Sequence, residues 1–567
     1  MSASHPFAAF RREPADFRDH VTEHDLVPGE LGEGLTNHED WFVWRSGHEV
    51  RIYDRICDHN GGRLIFNNNR ISCPMHGWNL DPASGRYLNV DCAKTPVLAA
   101  RVEDPQAPLR FELRKPSRQL TGFTRSIPVE VEFLNHACLL IRAPGICFAT
   151  DPWLLGPAFC NGWWLSLPSP VDALERINAC DFLFISHNHP DHLHRETLEQ
   201  VRRDMPILTP AFSSGSTERY LRDLGFADIR TEGFDTRLVD DVNEVALSIL
   251  KSGDFRDDSG LLLEIGGFSA LLAVDANFID FHRFPEAVTL YASSFASGAS
   301  GFPLCFDNYS DEEKQGIVTR NRNVARYSNT QILSRMRPQA FLPYAGFFSE
   351  AATRDDYIRT NNRKNSVASY AGPCSDNGVE LLDVTSRNRF LFAGNMLIEQ
   401  GKLGVAEMPP ADVDTYLMAA AADYSDLSPD EVETYFMESD FRRALNLCVR
   451  LTDDDFEAGD EAYYCRFGPE GPEHVKALDR QGYEALLEQL DTYLSIRIRR
   501  AEFIRVIRLG LPWEDLSIGF QCRVKRQPNV YHSDFWYHFS NVYVNDRVRR
   551  ESLNCDACLR LQHEFVV

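Results

Sequence analysis

Two short segments, each with one cysteine and one histidine, restrict this chain more than any other feature of its sequence. Cys57-Asp-His59 is followed by thirteen residues and then by Cys73-Pro-Met-His76. Two thiolates and two imidazoles are the ligands of a Rieske [2Fe–2S] cluster, in which the cysteines bind one iron and the histidines the other. A zinc site could use the same side chains, but zinc fingers usually group their cysteines and their histidines separately. The spacing therefore predicts that Cys57, His59, Cys73 and His76 bind a Rieske cluster.

A second group of metal-binding residue types lies further along the chain. The apolar segment Phe182–Ile185 runs into a loop that carries His187, His189, Asp191 and His192. Three imidazoles and one carboxylate after a strand are the ligand set of a metallo-β-lactamase-type site. In that fold His187 and His189 bind one metal, while Asp191 and His192 belong to a second. A solvated polar loop is the alternative, and the apolar strand before the histidines disfavours it.

Two further carboxylates follow apolar segments of the same region. Asp275 comes directly after Leu271-Leu-Ala-Val, where the metallo-β-lactamase fold usually has a bridging carboxylate. Asp151 comes after Ala149-Thr, and we expect it to be buried and to orient the ligands from behind. Asp275 is thus a predicted ligand and Asp151 a predicted supporting residue.

The pattern of predicted strands and helices changes twice along the sequence. Short alternating strands surround the first motif, a polar linker follows near residues 114–122, and strand and helix signals then alternate to about residue 400. Beyond that point helix signals dominate: Ser428-Pro-Asp-Glu431 predicts a helix start, and residues 486–508 predict one long helix. We expect a multidomain α+β chain with three parts. These are an all-β Rieske domain at 1–118, an αββα metallo-β-lactamase-like catalytic domain at 119–405 and a mostly helical region at 406–567.

Charge and composition exclude several classes of protein. Lys and Arg number 59 and Asp and Glu 83, which gives a net charge of −24 and argues against a nucleic-acid binder. We find neither a secretory signal nor a run of about 20 apolar residues that would span a membrane. Fourteen cysteines are too few for a disulfide scaffold of this length. The sequence therefore predicts a cytoplasmic protein.

The chain offers no obvious nicotinamide or flavin site of its own. Neither a Gly-x-Gly-x-x-Gly after a strand nor a Gly-x-x-x-x-Gly-Lys loop occurs. A Rieske cluster in such a chain must be reduced by another protein. The histidine-rich loop is then the one candidate for an oxygen-activating centre in the sequence.

Taken together and in order, the motifs resemble those of the CMP-N-acetylneuraminate hydroxylase (CMP-N-acetylneuraminic acid monooxygenase) family. The matching stretches are 57–59, 73–81, 135–138, 151–159, 162–164, 185–193, 295–303, 343–348, 518–521, 531–532 and 535–536. The first of these are shared by wider superfamilies, whereas the middle and C-terminal ones are far more specific.

The resemblance implies an iron monooxygenase. It would use O2 to hydroxylate the N-acetyl methyl group of an anionic nucleotide sugar to N-glycolyl. Electrons would come from cytochrome b5 or a ferredoxin with its reductase and would pass through the Rieske cluster. A related actinobacterial activity acts on UDP-N-acetylmuramate, so the shared motifs leave the sugar open, and oxygenation of another small molecule, including N-oxygenation, also stays open. Two other classes remain: a zinc hydrolase with a regulatory Rieske domain, and a non-catalytic redox carrier.

The chemistry of hydroxylation adds to the list of candidate residues. It calls for one or two non-haem irons at the histidine-rich loop, because zinc has no redox chemistry. The resemblance adds His136 as an orienting residue. Where the family has a histidine this sequence has Asp254, which implies either that Asp254 replaces it as a ligand or that the second metal position is altered. Candidates for contact with the substrate are Arg359, Arg363, Lys364, Trp163 and Trp164, with surface charge and core packing as the alternatives.

Overall fold

The computed structural model describes residues 5–58, 63–67, 70–73, 78–212, 214–234, 236–252, 257–276, 279 and 283–540. Three residues with predicted roles, His59, His76 and Asp254, lie outside these ranges.

The N-terminal part consists of short antiparallel strands, as predicted. They are β1 (Arg11–Pro14), β2 (Phe17–Leu26), β3 (Gly34–Asn37), β4 (Trp41–Ser46), β5 (Glu49–Asp54), β6 (Ile65–Asn67), β7 (Arg70–Ser72), β8 (Asn79–Leu80), β9 (Leu98–Arg101) and β10 (Leu109–Arg118). One sheet has the order β3-β4-β5-β9 and another the order β6-β7-β8, while β2 pairs with β10. Cys57 follows β5 and Cys73 follows β7, and both lie in one buried core with Tyr87.

The central part holds two eight-stranded sheets. Its strands are β11 (Pro128–Asn135), β12 (Cys138–Ala143), β13 (Ile146–Thr150), β14 (Trp164–Leu165), β15 (Phe182–Phe184), β16 (Ile207–Pro210), β17 (Ile229–Glu232), β18 (Thr236–Asp240), β19 (Val245–Lys251), β20 (Ser259–Ile265), β21 (Phe268–Val274), β22 (Leu290–Ser294), β23 (Ala340–Tyr344), β24 (Phe348–Ser349), β25 (Glu380–Leu381), β26 (Arg389–Ala393) and β27 (Met396–Gly401). Its helices are α1 (Ala173–Asn178), α2 (Arg195–Glu199), α3 (Ser216–Asp223), α4 (Asp311–Met336), α5 (Asp356–Asn361) and α6 (Ala371–Asn377).

One large hydrophobic core lies between these sheets. The sheets have the orders β17-β16-β15-β13-β12-β11-β26-β27 and β1-β18-β19-β20-β21-β22-β23-β25. Every residue of β20 and β21 is buried, as expected for strands covered on both faces. Helices α1, α2 and α3 pack on the outer face of the first sheet, and α4 and α6 on the second. The predicted αββα arrangement is therefore confirmed.

The first strand of the chain does not belong to the N-terminal sheets but to a sheet of the central part. β1 pairs antiparallel with β18, with Arg11 opposite Val239 and Pro14 opposite Thr236. The residues before the Rieske strands thus belong to the second central sheet. After β10 the chain is tied to the same part of the fold again, because the Arg118 backbone N–H donates to the Phe284 carbonyl at 3.0 Å.

The described C-terminal part is α+β rather than mostly helical. Its helices are α7 (Val413–Ala422), α8 (Pro429–Met437), α9 (Arg480–Gln489), α10 (Arg500–Leu509), α11 (Trp513–Ile518) and α12 (Ser533–Ser540). Its strands are β28 (Leu445–Thr452), β29 (Ala462–Gly468), β30 (Gly471–Leu478), β31 (Tyr493–Arg499) and β32 (Cys522–Gln527), in the sheet order β30-β29-β28-β31-β32. The predicted start of α8 is confirmed, since the Ser428 side chain accepts from the Asp430 N–H.

The prediction of one long helix over residues 486–508 is wrong. α9 ends at Gln489, β31 follows, and α10 then begins at Arg500. Leu494, Ile496 and Ile498 alternate along β31 and are fully buried between β28 and β32. Burial in the middle of a sheet therefore overrides the helical spacing of the apolar residues around it.

Candidate metal centre

Four strand ends converge on the histidine-rich loop. β15 leads into His187–His192, β11 ends before His136, β13 before Asp151, and β21 before Asp275. His136 and Asp151 have φ values of 44° and 37°, in a region that residues other than glycine rarely adopt. The backbone at both strand ends thus turns sharply and directs the side chains into one buried space, and such strain is common at functional sites.

Six side chains form two groups that could each hold a metal ion. His136, Asp191 and His192 make the first group, and His187, His189 and Asp275 make the second. Within each group the ligand atoms lie within 4.8 Å of one another. Nε2 of His136 is 3.1 Å from Oδ2 of Asp191, and Nε2 of His187 is 2.8 Å from Nδ1 of His189.

Asp151 lies behind the ligands and fixes the orientation of one of them. Its carboxylate accepts from the backbone N–H and the hydroxyl of Ser186, both at 2.7 Å. It also lies 3.2 Å from Nδ1 of His192. A ring that donates its Nδ1 proton to a carboxylate presents Nε2 as a lone pair, which is the form that binds metal.

Two buried atoms at the centre test whether a metal would fit. Nε2 of His192 and Oδ1 of Asp191 have no hydrogen-bond partner among the described residues. Nε2 of His192 faces carboxylate oxygens of Asp191 at 3.3 Å and of Asp275 at 3.5 Å. Buried acceptors that face one another are costly unless a cation lies between them. The arrangement therefore fits a divalent metal with imidazole and carboxylate ligands.

The protonation of Asp191 also suits a ligand. Burial alone would raise its pKa, but the neighbouring imidazoles of His192 and His136 outweigh burial and hold this pKa well below the usual range. The carboxylate is therefore ionised, as metal binding requires.

Comparison with known proteins reveals the relatives of the chain. Residues 19–104 match the Rieske [2Fe-2S] domain, and residues 130–257 match the β-lactamase superfamily domain. The cytidine monophosphate-N-acetylneuraminic acid hydroxylase of Xenopus laevis is 29% identical over 561 residues, which cover 90% of this chain and 91% of the relative. The enzyme of the same name from Mus musculus is 28% identical, with 91% and 94% covered. The chain is a homologue of the CMP-N-acetylneuraminic acid hydroxylases.

This relationship confirms several predictions from the sequence. The resemblance to the hydroxylases, the oxidoreductase class, monooxygenase chemistry that depends on a Rieske domain, and the [2Fe–2S] cofactor are all supported. The metallo-β-lactamase-like fold of the central part is supported by the match to the β-lactamase superfamily. In the described part of the chain, no helix combines the length and apolar character needed to cross a membrane.

Solved structures resemble part of the chain at the level of the fold. CmlA, a diiron beta-hydroxylase from Streptomyces venezuelae, is 17% identical with a TM-score of 0.31, over 49% of this chain and 55% of CmlA. An isothiocyanate hydrolase from Delia radicum gut bacteria is 14% identical with a TM-score of 0.31, over 44% and 94%. Similarities at this level do not distinguish a hydroxylase from a hydrolase.

The structure brings most of the predicted metal-site residues together. His187, His189, Asp191, His192 and Asp275 surround one space, with Asp151 behind them. His136, predicted as an orienting residue, lies at ligand distance in the first group. The assignment of these residues as metal ligands stays a prediction.

At the Rieske motif, the structure describes two of the four predicted ligands, Cys57 and Cys73. Cys57 and Cys73 are each 2% exposed. The Tyr87 hydroxyl lies 3.9 Å from the Cys57 sulfur and 2.7 Å from a carboxylate oxygen of Asp58. Hydrogen bonds to cluster ligands set Rieske potentials, so Tyr87 is placed to influence this one.

The tryptophans proposed as substrate contacts are committed to internal packing. Trp163 is 2% exposed, stacks on Phe348 at 3.5 Å between ring centroids, and donates to the Ile518 carbonyl. Trp164 is buried and donates to the Asn161 carbonyl. Burial leaves neither indole a face for a substrate.

Two of the predicted cationic contacts are likewise engaged within the protein. Arg359 binds Asp356 and three backbone carbonyls, and Lys364 pairs with Glu350 at 2.8 Å. Arg363 is exposed. Arg363 therefore stays a predicted contact with the substrate.

Three residues near the candidate metal centre were not predicted from the sequence. Asp258, just before β20, has a carboxylate oxygen 3.7 Å from Nε2 of His187. Tyr344, at the end of β23, is fully buried, and burial with the nearby charges of Asp151 and Asp275 raises the pKa of its hydroxyl well above the usual range. Asp515 comes from α11 in the C-terminal part. A polar residue at the end of an apolar strand was a usable signal for Tyr344, but nothing in the sequence links Asp515 to the loop.

Proposed function

We propose that the chain hydroxylates the N-acetyl methyl group of a nucleotide sugar, such as CMP-N-acetylneuraminate, to N-glycolyl. The balanced reaction is R–CH3 + O2 + 2 e⁻ + 2 H⁺ → R–CH2OH + H2O. The observation that carries the proposal is the pair of His/Asp groups in a chain that has a Rieske domain and whose relatives over nine-tenths of its length are hydroxylases.

The donor set supports non-haem iron at this centre. Iron bound there would supply the redox chemistry that O2 activation requires, while the Rieske cluster would deliver electrons one at a time. Four imidazoles and two carboxylates, from the two groups together, suit one or two iron ions. Zinc would fit the same ligands but would limit the site to hydrolysis.

The protein's own residues prepare the centre in three ways. Asp151 sets the proton on His192 so that its second nitrogen can bind metal. Burial of His136, Asp191 and His192 excludes water from the first group and strengthens its electrostatic interactions. In the second group His189 and Asp275 are partly exposed, so this side is where a substrate has access.

The proposal also includes the partners and the compartment. The cluster would receive electrons from cytochrome b5 or a ferredoxin with its reductase, since the sequence has no recognisable nicotinamide or flavin motif. Such carriers are available in the cytoplasm, where we place the protein.

Oxygen uptake with a panel of nucleotide N-acetyl sugars tests the proposal. The panel includes CMP-N-acetylneuraminate and UDP-N-acetylmuramate, with a reduced donor present. We expect uptake that depends on one sugar, a product heavier by one oxygen atom, and loss of both in His187→Ala. His474→Ala, at an exposed histidine of β30, is the matched control and keeps full turnover.

Metal analysis separates this function from its alternatives. Four irons per chain with two labile sulfides indicate two irons at the second centre, and three indicate one. Two irons with one or two zinc ions, together with substrate hydrolysis, would instead establish a hydrolase. Two irons and no other metal would indicate a redox carrier. Full turnover in His187→Ala would show that the proposed centre is not where oxygen reacts.

A further inference from the structure

A cleft of about 370 Å³ borders the metal-binding loop on the side of the C-terminal part. Asn188 and Pro190, which alternate with the ligands along the loop, form one wall. α3 supplies Arg219 and Tyr220, and α11 supplies Asp515 from the opposite side. The cleft is therefore shared by two parts of the chain that lie about 300 residues apart in the sequence.

The contacts of α11 place this cleft close to the partly exposed metal group. The ring of His189 lies 5.8 Å from the ring of Phe159. Gly519, directly after α11, packs so closely on the Phe159 backbone that an added Cβ would come within 1.9 Å of its carbonyl oxygen. α11 is thus fixed beside the group formed by His187, His189 and Asp275.

Two arginines line the cleft, together with the exposed carboxylate of Asp223. Arg219 is exposed, and no hydrogen bond or ion pair engages its side chain within the described ranges. Arg195 also lines the cleft and pairs with Glu199 at 2.8 Å, both being about half exposed. In a chain of net charge −24, an anion needs such local cations.

The start of α3 lies at the same wall. Ser216, its first residue, lines the cleft, and its backbone N–H donates to the Ser214 hydroxyl at 3.2 Å. The partial positive charge of a helix N-terminus favours a phosphate nearby.

The buried end of the cleft carries a polar side chain that the fold does not use. Asp515 is 4% exposed, and within the described part of the chain no hydrogen bond engages its carboxyl group. A carboxyl oxygen at this position can accept hydrogen bonds from an amide N–H or a sugar hydroxyl.

Building on the proposed function, we propose that this cleft binds the substrate, with Arg219 and Arg195 at its phosphate oxygens and Asp515 at the amide or hydroxyl groups of its sugar. The order of groups along the cleft follows that of a nucleotide sugar. The charged phosphate lies at the exposed arginines, and the amide and hydroxyl groups of the sugar lie at the buried carboxyl group beside the metal loop. The C-terminal part would then supply a specificity-determining residue.

The main test compares two arginines on α3. Arg219→Gln removes the cation of the cleft. Arg222→Gln removes one that pairs with Glu218 at 2.7 Å and does not line the cleft. We expect about a tenfold or greater rise in KM for the nucleotide sugar in Arg219→Gln, because one charge-assisted hydrogen bond is lost. We expect kcat to change less than about twofold, and neither constant to change in Arg222→Gln. Equal constants in the two variants would overturn the assignment.

Binding to the full-length protein tests the two ends of the cleft separately. Calorimetry with CMP and with the nucleotide sugar should show weaker binding of both to Arg219→Gln. Asp515→Leu should weaken binding of the nucleotide sugar alone, whereas Asp515→Asn should retain most of the affinity because the amide oxygen still accepts. An unaltered Rieske spectrum and melting temperature show that each variant is folded. If Asp515→Leu binds the nucleotide sugar like the wild type, the carboxyl group has no role in recognition.

These experiments distinguish failure of the cleft from failure of the proposed function. Turnover in the wild type with equal KM in both arginine variants rejects the cleft and keeps the function. No turnover with any sugar, together with pyrophosphate binding that Arg219→Gln abolishes, keeps the cleft as an anion site and rejects the function. No binding of CMP, pyrophosphate or nucleotide sugar to the wild type rejects the cleft.

Discussion

Replacing Asp151 by asparagine tests how the protein prepares its metal centre. The carboxylate accepts three hydrogen bonds, two from Ser186 at 2.7 Å and one from Nδ1 of His192 at 3.2 Å. Asparagine has nearly the same shape but only one acceptor oxygen. If that oxygen stays on the Ser186 N–H, the amide NH2 faces His192 and favours the tautomer with the proton on Nε2. That tautomer cannot bind metal through Nε2.

The expected cost follows from this change of hydrogen bonding. Loss of a group that orients a metal-binding histidine typically weakens metal affinity about 10- to 100-fold. At about 1.4 kcal/mol per tenfold change, this equals about 1.4–2.8 kcal/mol, which is close to one charged hydrogen bond. The loss should fall on the group that contains His192 and leave the Rieske cluster intact.

Competition with a chelator, followed by metal analysis, measures the affinity, and the Rieske absorbance of the same sample serves as an internal reference. Asp181→Asn is the matched control. The Asp181 carboxylate also accepts from a backbone N–H, that of Cys147, at 2.7 Å. Asp181 precedes β15 and so lies at the end of this strand that is remote from the metal-binding loop. Affinity within twofold of the wild type in Asp151→Asn would refute the reasoning. Equal metal loss in both variants would point to a general effect on folding.

Three further predictions concern the cluster, the interior and the bound metal. Tyr87→Phe should lower the midpoint potential of the cluster by about 20 mV in a redox titration. The variant loses a weak hydrogen bond of about 0.5 kcal/mol to the Cys57 sulfur, which the Tyr87 hydroxyl shares with the Asp58 carboxylate. A rise in the midpoint potential would contradict this. Asp355→Ala should cost about 3–5 kcal/mol in urea unfolding, because Arg499 is left as a buried charge, whereas Asp356→Ala at an exposed site should cost less than about 0.5 kcal/mol. Chelation of the metal at the second centre should lower the melting temperature of the protein. A metal ion at 100 times its Kd stabilises the folded state by about 2.7 kcal/mol. An unchanged melting temperature would mean that metal binding does not contribute to stability.

The metal-binding loops could be predicted because their chemistry leaves few choices. A metal needs particular side chains at short spacings, and the strand before His187 is apolar enough to be recognised alone. The strand at Tyr493–Arg499 was missed for the opposite reason. Its neighbours continue a helical pattern, and only the position of β31 between β28 and β32 decides its structure.

The substrate contacts show a similar limit. The charge of Lys364 suggests a contact with an anionic substrate, but Glu350 pairs with this lysine and neutralises it. The sequence alone does not show which charged residues pair with one another. Arg219 and Asp515 drew no attention in the sequence, because their relevance depends on two distant segments forming one cleft. Local chemistry is therefore readable from the sequence, whereas a site assembled from remote segments is not.

The pairing of β1 with β18 has a consequence for electron delivery. Because the chain joins the central sheets before and after the Rieske strands, the Rieske domain is an insertion held at two points. A domain on a single tether can swing between a donor and an acceptor, but one anchored twice has little such freedom. We therefore expect the distance between the cluster and the metal centre to change little, so that electron transfer does not depend on a large motion of the Rieske domain.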